Sequence, residues 1–243
     1  MTESLPLAVV RVSTYEQMRL LTRASGFFFE RDQRLFLVTS RHVMFDEPSK
    51  HFPDRLEIEL HIDSDNMTQS LEFSIPLYRD GQGLWRQGED VSGEIDVAVI
   101  EIERAALPAT VAYRAFTPAN LLGRLEGVEM GASLVIVGFP LGFHDTWHHM
   151  PVARLAAVAS VFGLRFQGQG YFLTDARTHR GTSGAPVVMR ATRKTGRRGD
   201  LPWILLGVHS ARVDVGTRDL KLDEVLGLNC AWYADILMTL TNQ

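Results

Sequence analysis

At 243 residues, 45% hydrophobic and 22% charged, the chain falls in the range of a compact protein able to bury a core, as one domain or two. A formal net charge of -4, from 25 basic and 29 acidic residues, excludes a field strong enough to make nucleic acid or an anionic membrane the obligate partner. The single cysteine, Cys230, excludes an intrachain disulfide and a small disulfide-stapled scaffold, while permitting a reducing compartment.

In chain order, the N-terminal stretch MTESLPLAVVRVSTYEQM lacks the basic start and sustained apolar run of a secretory signal, so a cytoplasmic location is expected. Apolar runs such as Leu134 to Gly138 fall far short of the roughly 20 residues that span a bilayer, and no membrane is expected as partner. Short β-branched and aromatic runs recur between turn residues: Leu7–Val12, Phe27–Glu30, Leu35–Thr39, Leu56–Ile62, Leu71–Leu77, Val97–Ile102, Leu134–Val137, Ala156–Phe162, Tyr171–Thr174, Val187–Met189 and Ile204–Val208. That spacing predicts an all-β protein. Several runs alternate apolar with polar residues, as half-buried antiparallel strands do, and periodicity alone leaves barrel and sandwich open. The weakest strand signal, Pro108–Gly127, marks a linker between strand-rich halves, and the division is placed at 1–115 and 116–243. Trp232, Ile236, Leu237 and Leu240 fall at helical spacing, so Ala231–Leu240 is predicted to form a short closing helix, with no further domain after it.

Three segments carry chemistry. In Gly181-Thr182-Ser183-Gly184-Ala185-Pro186 the glycines let the backbone turn sharply, presenting the Ser183 hydroxyl and aiming backbone N–H groups at one point. The same hexapeptide also suits an ordinary turn. The run Leu35 to Thr39 delivers His42 at its exit, where a neutral imidazole can take a proton from a serine and return it to a leaving amine. In Gly93-Glu94-Ile95-Asp96-Val97-Ala98-Val99-Ile100 an acid stands at the mouth of an apolar strand; a carboxylate buried there needs a partner, and His42 supplies one. Singly, each residue suits a structural role. Together they follow the chain order His–Asp–Ser of the chymotrypsin group.

These segments, with Val137-Gly138-Phe139-Pro140-Leu141-Gly142, Thr174-Asp175-Ala176 and Leu206-Gly207-Val208-His209-Ser210, make the chain resemble trypsin-like peptidases, specifically the protease domain of the high-temperature-requirement branch. The resemblance implies two six-stranded antiparallel β-barrels of chymotrypsin type, with His42 and Asp96 on the first and Ser183 on the second. It implies a serine endopeptidase acting on polypeptides through an acyl-enzyme, with no metal or organic cofactor. It places the oxyanion hole at the backbone N–H groups of Gly181 and Ser183, and gives Ser210 and its neighbours to the substrate main chain. It also sets Arg177 at the base of the primary pocket and His209 on its wall, a pairing suited to an acidic or amide side chain. Thr182 stands where zymogen-activated relatives keep an aspartate, so proteolytic activation is not expected, nor is the downstream peptide-binding domain of the branch.

Other signals are read plainly. The segment His144-Asp145-Thr146-Trp147-His148-His149 has no helix-borne ligand spacing and is read as a surface loop rather than a metal site. The basic run Arg190, Arg193, Lys194, Arg197, Arg198 is read as a solvated hairpin loop rather than a phosphate site, and His179 and Arg180 as either tuning the oxyanion turn or exposed. Two rival functions remain: a catalytically silent scaffold or peptide-binding module on the same fold, and an esterase using the same three residues.

Overall fold

The computed structural model describes residues 3–123, 127–191, 201–213 and 226–242, with Arg212 described by its backbone alone. The strands are β1 (Val9–Glu16), β2 (Arg19–Arg31), β3 (Arg34–Thr39), β4 (Arg55–His61), β5 (Ser70–Pro76), β6 (Tyr78–Arg79), β7 (Gln82–Gly83), β8 (Trp85–Asp90) and β9 (Gly93–Ile102) in the first half. The second half contributes β10 (Ser133–Gly138), β11 (Val152–Val158), β12 (Tyr171–Asp175), β13 (Pro186–Arg190), β14 (Trp203–Arg212) and β15 (Leu228–Tyr233). Helices are short: α1 (Arg41–Met44) follows β3, and α2 (Ile236–Leu240) closes the described chain. Among the described residues no helix is long and apolar enough to cross a membrane.

The local sequence explains the pairing. In β4, Leu56, Ile58 and Leu60 are buried while Arg55, Glu57 and Glu59 face outward, the period of two that an antiparallel strand imposes. Each buried aliphatic side chain stabilises the fold by about 1.5–3 kcal/mol relative to exposure. The central strands β3 and β9 are apolar on both faces because both faces are covered. Leu37, Ala98 and Ile100 enter one core, whereas Phe36, Val38, Val97 and Val99 enter another shared with Val137, Val188, Leu205 and Trp232 of the second half. That shared core joins the two halves, and a third core, with Ile136, Phe172, Val187 and Leu206, fills the second half.

The second half closes as a six-stranded barrel in the order β10-β11-β12-β15-β14-β13. The first half is a seven-stranded antiparallel sheet, β5-β4-β1-β2-β3-β9-β8, whose end strands share no ladder among the described residues. The expected pair of closed six-stranded barrels is therefore seen as one closed barrel and one open sheet. Pro76, which has no N–H to donate, ends β5, and the chain leaves it for the β6/β7 hairpin, whose turn residues Asp80 and Gly81 take left-handed φ values of 52° and 75°. Phe116 pairs with Phe29 of β2, and Leu121 with Leu205 of β14, so the segment between the halves touches both.

Three element assignments need correction. Ala231, Trp232 and Tyr233 belong to β15, not to a helix, because their backbones pair with β12 and β14 to close the barrel; the helix begins at Ile236. The strand read as Ala156–Phe162 starts earlier, at Val152, and ends at Val158. Phe162 instead packs edge-on against Phe172 and Tyr233. Strand β8 went unpredicted: among the described residues it is an edge strand paired only with β9, and its half-exposed residues carry no apolar run.

Candidate active site

His42 lies in α1, directly beyond β3. Val43 and Met44 anchor that turn in the core of the first sheet, which fixes the histidine beside the start of β9. Asp96 sits between the buried Ile95 and Val97 and accepts two hydrogen bonds from His42, its Oδ1 from the backbone N–H at 2.9 Å and its Oδ2 from ring Nδ1 at 2.8 Å. The Nδ1 bond sets the tautomer and leaves Nε2 for a substrate or nucleophile. The Ser210 hydroxyl donates a further short bond to Asp96 Oδ2. Burial opposes the charged imidazole, but the bond to and charge of Asp96 outweigh it, and the His42 pKa lies above 6.5. Burial likewise pushes the Asp96 carboxyl up, yet His42 and Ser210 hold it below the ordinary carboxylate value.

Ser183 enters from the barrel, in the turn before β13. Its hydroxyl donates to the Ser210 carbonyl at 3.0 Å rather than to His42, so the serine joins the His–Asp pair through Ser210 in this conformer. Gly181 (φ 91°) and Gly184 (φ 84°) flank it in conformations that side chains resist. At Gly181 an added Cβ would stand 2.6 Å from the Phe139 carbonyl. Leu141, itself at φ 55°, donates its N–H to the Arg180 carbonyl at 2.5 Å, so the trans peptide turns the Gly181 N–H the opposite way. Among the described residues neither the Gly181 nor the Ser183 N–H meets an acceptor.

Of the residues assigned to substrate, Ser210 and His209 are buried on β14, and the His209 backbone exchanges bonds of 2.8 Å with Gly184 and Ala185. Arg177 is exposed and lines an open depression with Ala153, Ala157 and Asp175. His179 and Arg180 act through their carbonyls, on Thr182 and Leu141, and the Arg180 side chain is exposed. Of the basic run, Arg190 stacks over Trp203, with its guanidinium 5.2 Å from the ring, while Arg193, Lys194, Arg197 and Arg198 lie outside the described residues.

Sequence reasoning missed the brace beneath this turn. Ser25, fully buried on β2, donates its hydroxyl to the Gly181 carbonyl at 2.8 Å and accepts the Phe139 N–H at 2.9 Å, while its own N–H bonds the Ser183 carbonyl at 2.9 Å. Ser40 likewise donates to the His209 carbonyl at 3.2 Å. Ser25 carries no motif, and Ser40 lies in the His42 segment without a role legible there; only the pairing of distant segments reveals what they do. Away from these residues, Glu59, His144 and His149 gather possible metal donors within 4.8 Å of one another.

A closed barrel packed on an antiparallel sheet, with a His–Asp pair of the sheet linked through Ser210 to a glycine-flanked serine of the barrel, fits the chymotrypsin-like class. The trypsin-like peptidase domain model matches residues 24–196, and the chain belongs to that family. Serine protease HTRA1 of Xenopus tropicalis is 25% identical over 218 residues, covering 88% of this chain and 38% of that protein. Its Xenopus laevis counterpart is 26% identical over the same shares. The chain thus spans well under half the length of these relatives. Among solved structures, a serine endoprotease from Yersinia pestis aligns with a TM-score of 0.54 at 15% identity, covering 97% of this chain and 62% of that one. A protease from M. tuberculosis in its active form aligns at 0.51, also at 15% identity, covering 97% and 79%. At that identity these likenesses speak for the fold alone.

Proposed function

We propose that this protein is a serine endopeptidase in which Ser183 attacks the carbonyl carbon of a peptide bond, His42 takes the serine proton and returns it to the leaving amine, and Asp96 orients the imidazole and stabilises its cation. The bond between His42 Nδ1 and Asp96 Oδ2 at 2.8 Å carries the reading, because it points the other ring nitrogen away from the carboxylate. The N–H groups of Gly181 and Ser183 receive the oxyanion; each such donor contributes about 2.7–4 kcal/mol of barrier lowering. Water then hydrolyses the acyl-enzyme with His42 again as base. Ser210 and its neighbours pair with the substrate main chain, and Arg177 and His209 select an acidic or amide side chain by charge-assisted bonds. A peptide library cleaved equally well after small apolar residues would remove that specificity.

The bond from the Ser183 hydroxyl to the Ser210 carbonyl favours a second reading, a silent scaffold or latent conformer of the same fold. A fluorophosphonate probe separates the two. Label on Ser183, lost in Ser183→Ala and weakened in His42→Ala, supports the enzyme; a chain that stays unlabelled at neutral pH supports the scaffold. Cleavage of a protein substrate by the untreated chain, abolished once the probe has blocked Ser183, distinguishes a peptidase from an esterase.

A further inference from the structure

The loop from Phe143 to Pro151 reaches out of the barrel, between the Pro140–Gly142 turn and β11, and is gripped by β4 of the first sheet. Asp145 and Met150 pair as a short hairpin, and the Asp145 carboxylate caps the N–H groups of Trp147 and His148, so the loop is internally ordered. On β4, Glu59 and His61 stand two residues apart and therefore on one face. His61 Nε2 donates to the His148 carbonyl at 2.8 Å, and His149 Nδ1 meets Glu59 Oε1 at 2.5 Å.

We propose that Glu59, His144 and His149 form a divalent-cation site of zinc type that clamps this loop to the first sheet. Their donor atoms lie within 4.8 Å of one another, and a tetrahedral zinc with bonds of about 2.0–2.1 Å needs such atoms roughly 3.4 Å apart, which side-chain rotation supplies. His144 is already oriented as a ligand: its Nδ1 bonds the Gly142 carbonyl at 2.7 Å, which fixes the tautomer and leaves Nε2 as the lone-pair nitrogen. Glu59 is held from behind, its Oε2 by the Arg11 guanidinium at 2.8 Å, while Oε1 also accepts the Ser70 hydroxyl at 2.9 Å. Arg11 lowers the affinity by its charge but holds the carboxylate as a single-oxygen ligand. Two imidazoles and one carboxylate suit zinc, cobalt or nickel rather than magnesium or calcium, and three protein ligands leave a fourth position for water. The sequence alone hides the site, because Glu59 lies some ninety residues before the histidines.

The site stands without the peptidase reading. Its bearing on catalysis rests on that reading and follows from connectivity: His144 holds Gly142, and the adjacent Leu141 N–H holds the Arg180 carbonyl next to Gly181. A cation on His144 and His149 therefore stiffens the strap that aims the Gly181 N–H.

The test is calorimetric titration of the metal-free full chain with zinc chloride, repeated with cobalt for the visible absorption of a tetrahedral ion. One equivalent per chain is expected, with magnesium failing to compete, and zinc should slow amide hydrogen exchange across 141–150. His144→Ala and His149→Asn should each weaken binding at least tenfold. The asparagine tolerates the left-handed backbone at 149, where φ is 56°, so this variant keeps the fold. His148→Ala, whose ring pairs with Asp145 instead, and His42→Ala should bind as the parent does. No binding to the parent chain, equal binding after His149→Asn, or binding lost only in His42→Ala overturns the site. None of these outcomes depends on whether Ser183 reacts with the probe.

Discussion

The Ser25 hydroxyl, on the first sheet, donates to the Gly181 carbonyl, in the Ser183 turn of the barrel, across 2.8 Å of fully buried space. Ser25→Ala leaves that carbonyl and the Phe139 N–H unpaired, and a buried unsatisfied group costs about 1–3 kcal/mol. Because the same bond fixes the peptide plane beside the proposed oxyanion donor, kcat should fall by about 10- to 100-fold, as small misplacements in active sites do, with KM little changed. Steady-state kinetics with a chromogenic peptide, alongside urea denaturation, reads both. An unchanged kcat in a destabilised variant would make Ser25 a purely structural brace.

Gly184 offers a sharper steric test. A Cβ there would lie 2.2 Å from both the Ser25 carbonyl and Thr39 Oγ1, at a φ of 84°. Strain at such a backbone costs about 1–3 kcal/mol by itself, and the clash with backbone adds to it. Gly81→Ala has a similar φ of 75° and nothing within 4 Å of the new methyl, so it isolates the backbone share. Gly184→Ala should lose clearly more stability than Gly81→Ala in parallel denaturant titrations. Equal losses would mean that the turn relaxes away from Ser25.

The contrast between His42 and Ser25 says what a sequence can reveal. His42, Asp96 and Ser183 are legible because each ends or opens an apolar run or a glycine turn, and those local patterns survive in one dimension. Strands β3, β4 and β12 are legible for the same reason. Ser25 is an unremarked serine inside a strand, and its bonds reach a turn 156 residues away. Trp232 was misread because a helical spacing of apolar residues also occurs where a strand gives way to a helix; barrel closure against Tyr171 and Val208 decides it. Arg177 is assigned to a pocket base by resemblance alone, since no local pattern marks it, and its side chain is exposed in the structure.

The pH profile follows from the His42–Asp96 pair. A general base works only when neutral, so kcat/KM should rise with pH through the pKa of His42, and the midpoint of that acid limb should lie above 6.5. In Asp96→Asn the bond and charge that raise this pKa are gone while burial remains, so the limb should move below 6.5 as the plateau falls about 10⁴-fold. Rates between about pH 5 and 9 cover both limbs. A limb that stays above 6.5 in the variant would show that another group titrates.

Replacing Ser183 separates stability from chemistry most cleanly. The Ser183 side chain is only half-buried, and it bonds the carbonyl of Ser210, a buried strand residue. Losing that bond in Ser183→Ala should cost about 1 kcal/mol of folding stability. Its kcat should fall about 10⁶-fold if Ser183 is the attacking group, while the Gly181 and Ser183 N–H donors, which the alanine backbone retains, keep the residual rate about 10³- to 10⁴-fold above the uncatalysed reaction. Adding Gly181→Ala to that background should erase most of the residue, since the new methyl would drive into the Phe139 carbonyl and shift the donor. A residual rate indifferent to Gly181 would locate the oxyanion donors elsewhere. Thermal denaturation and long-incubation hydrolysis assays on the same three samples decide between these outcomes.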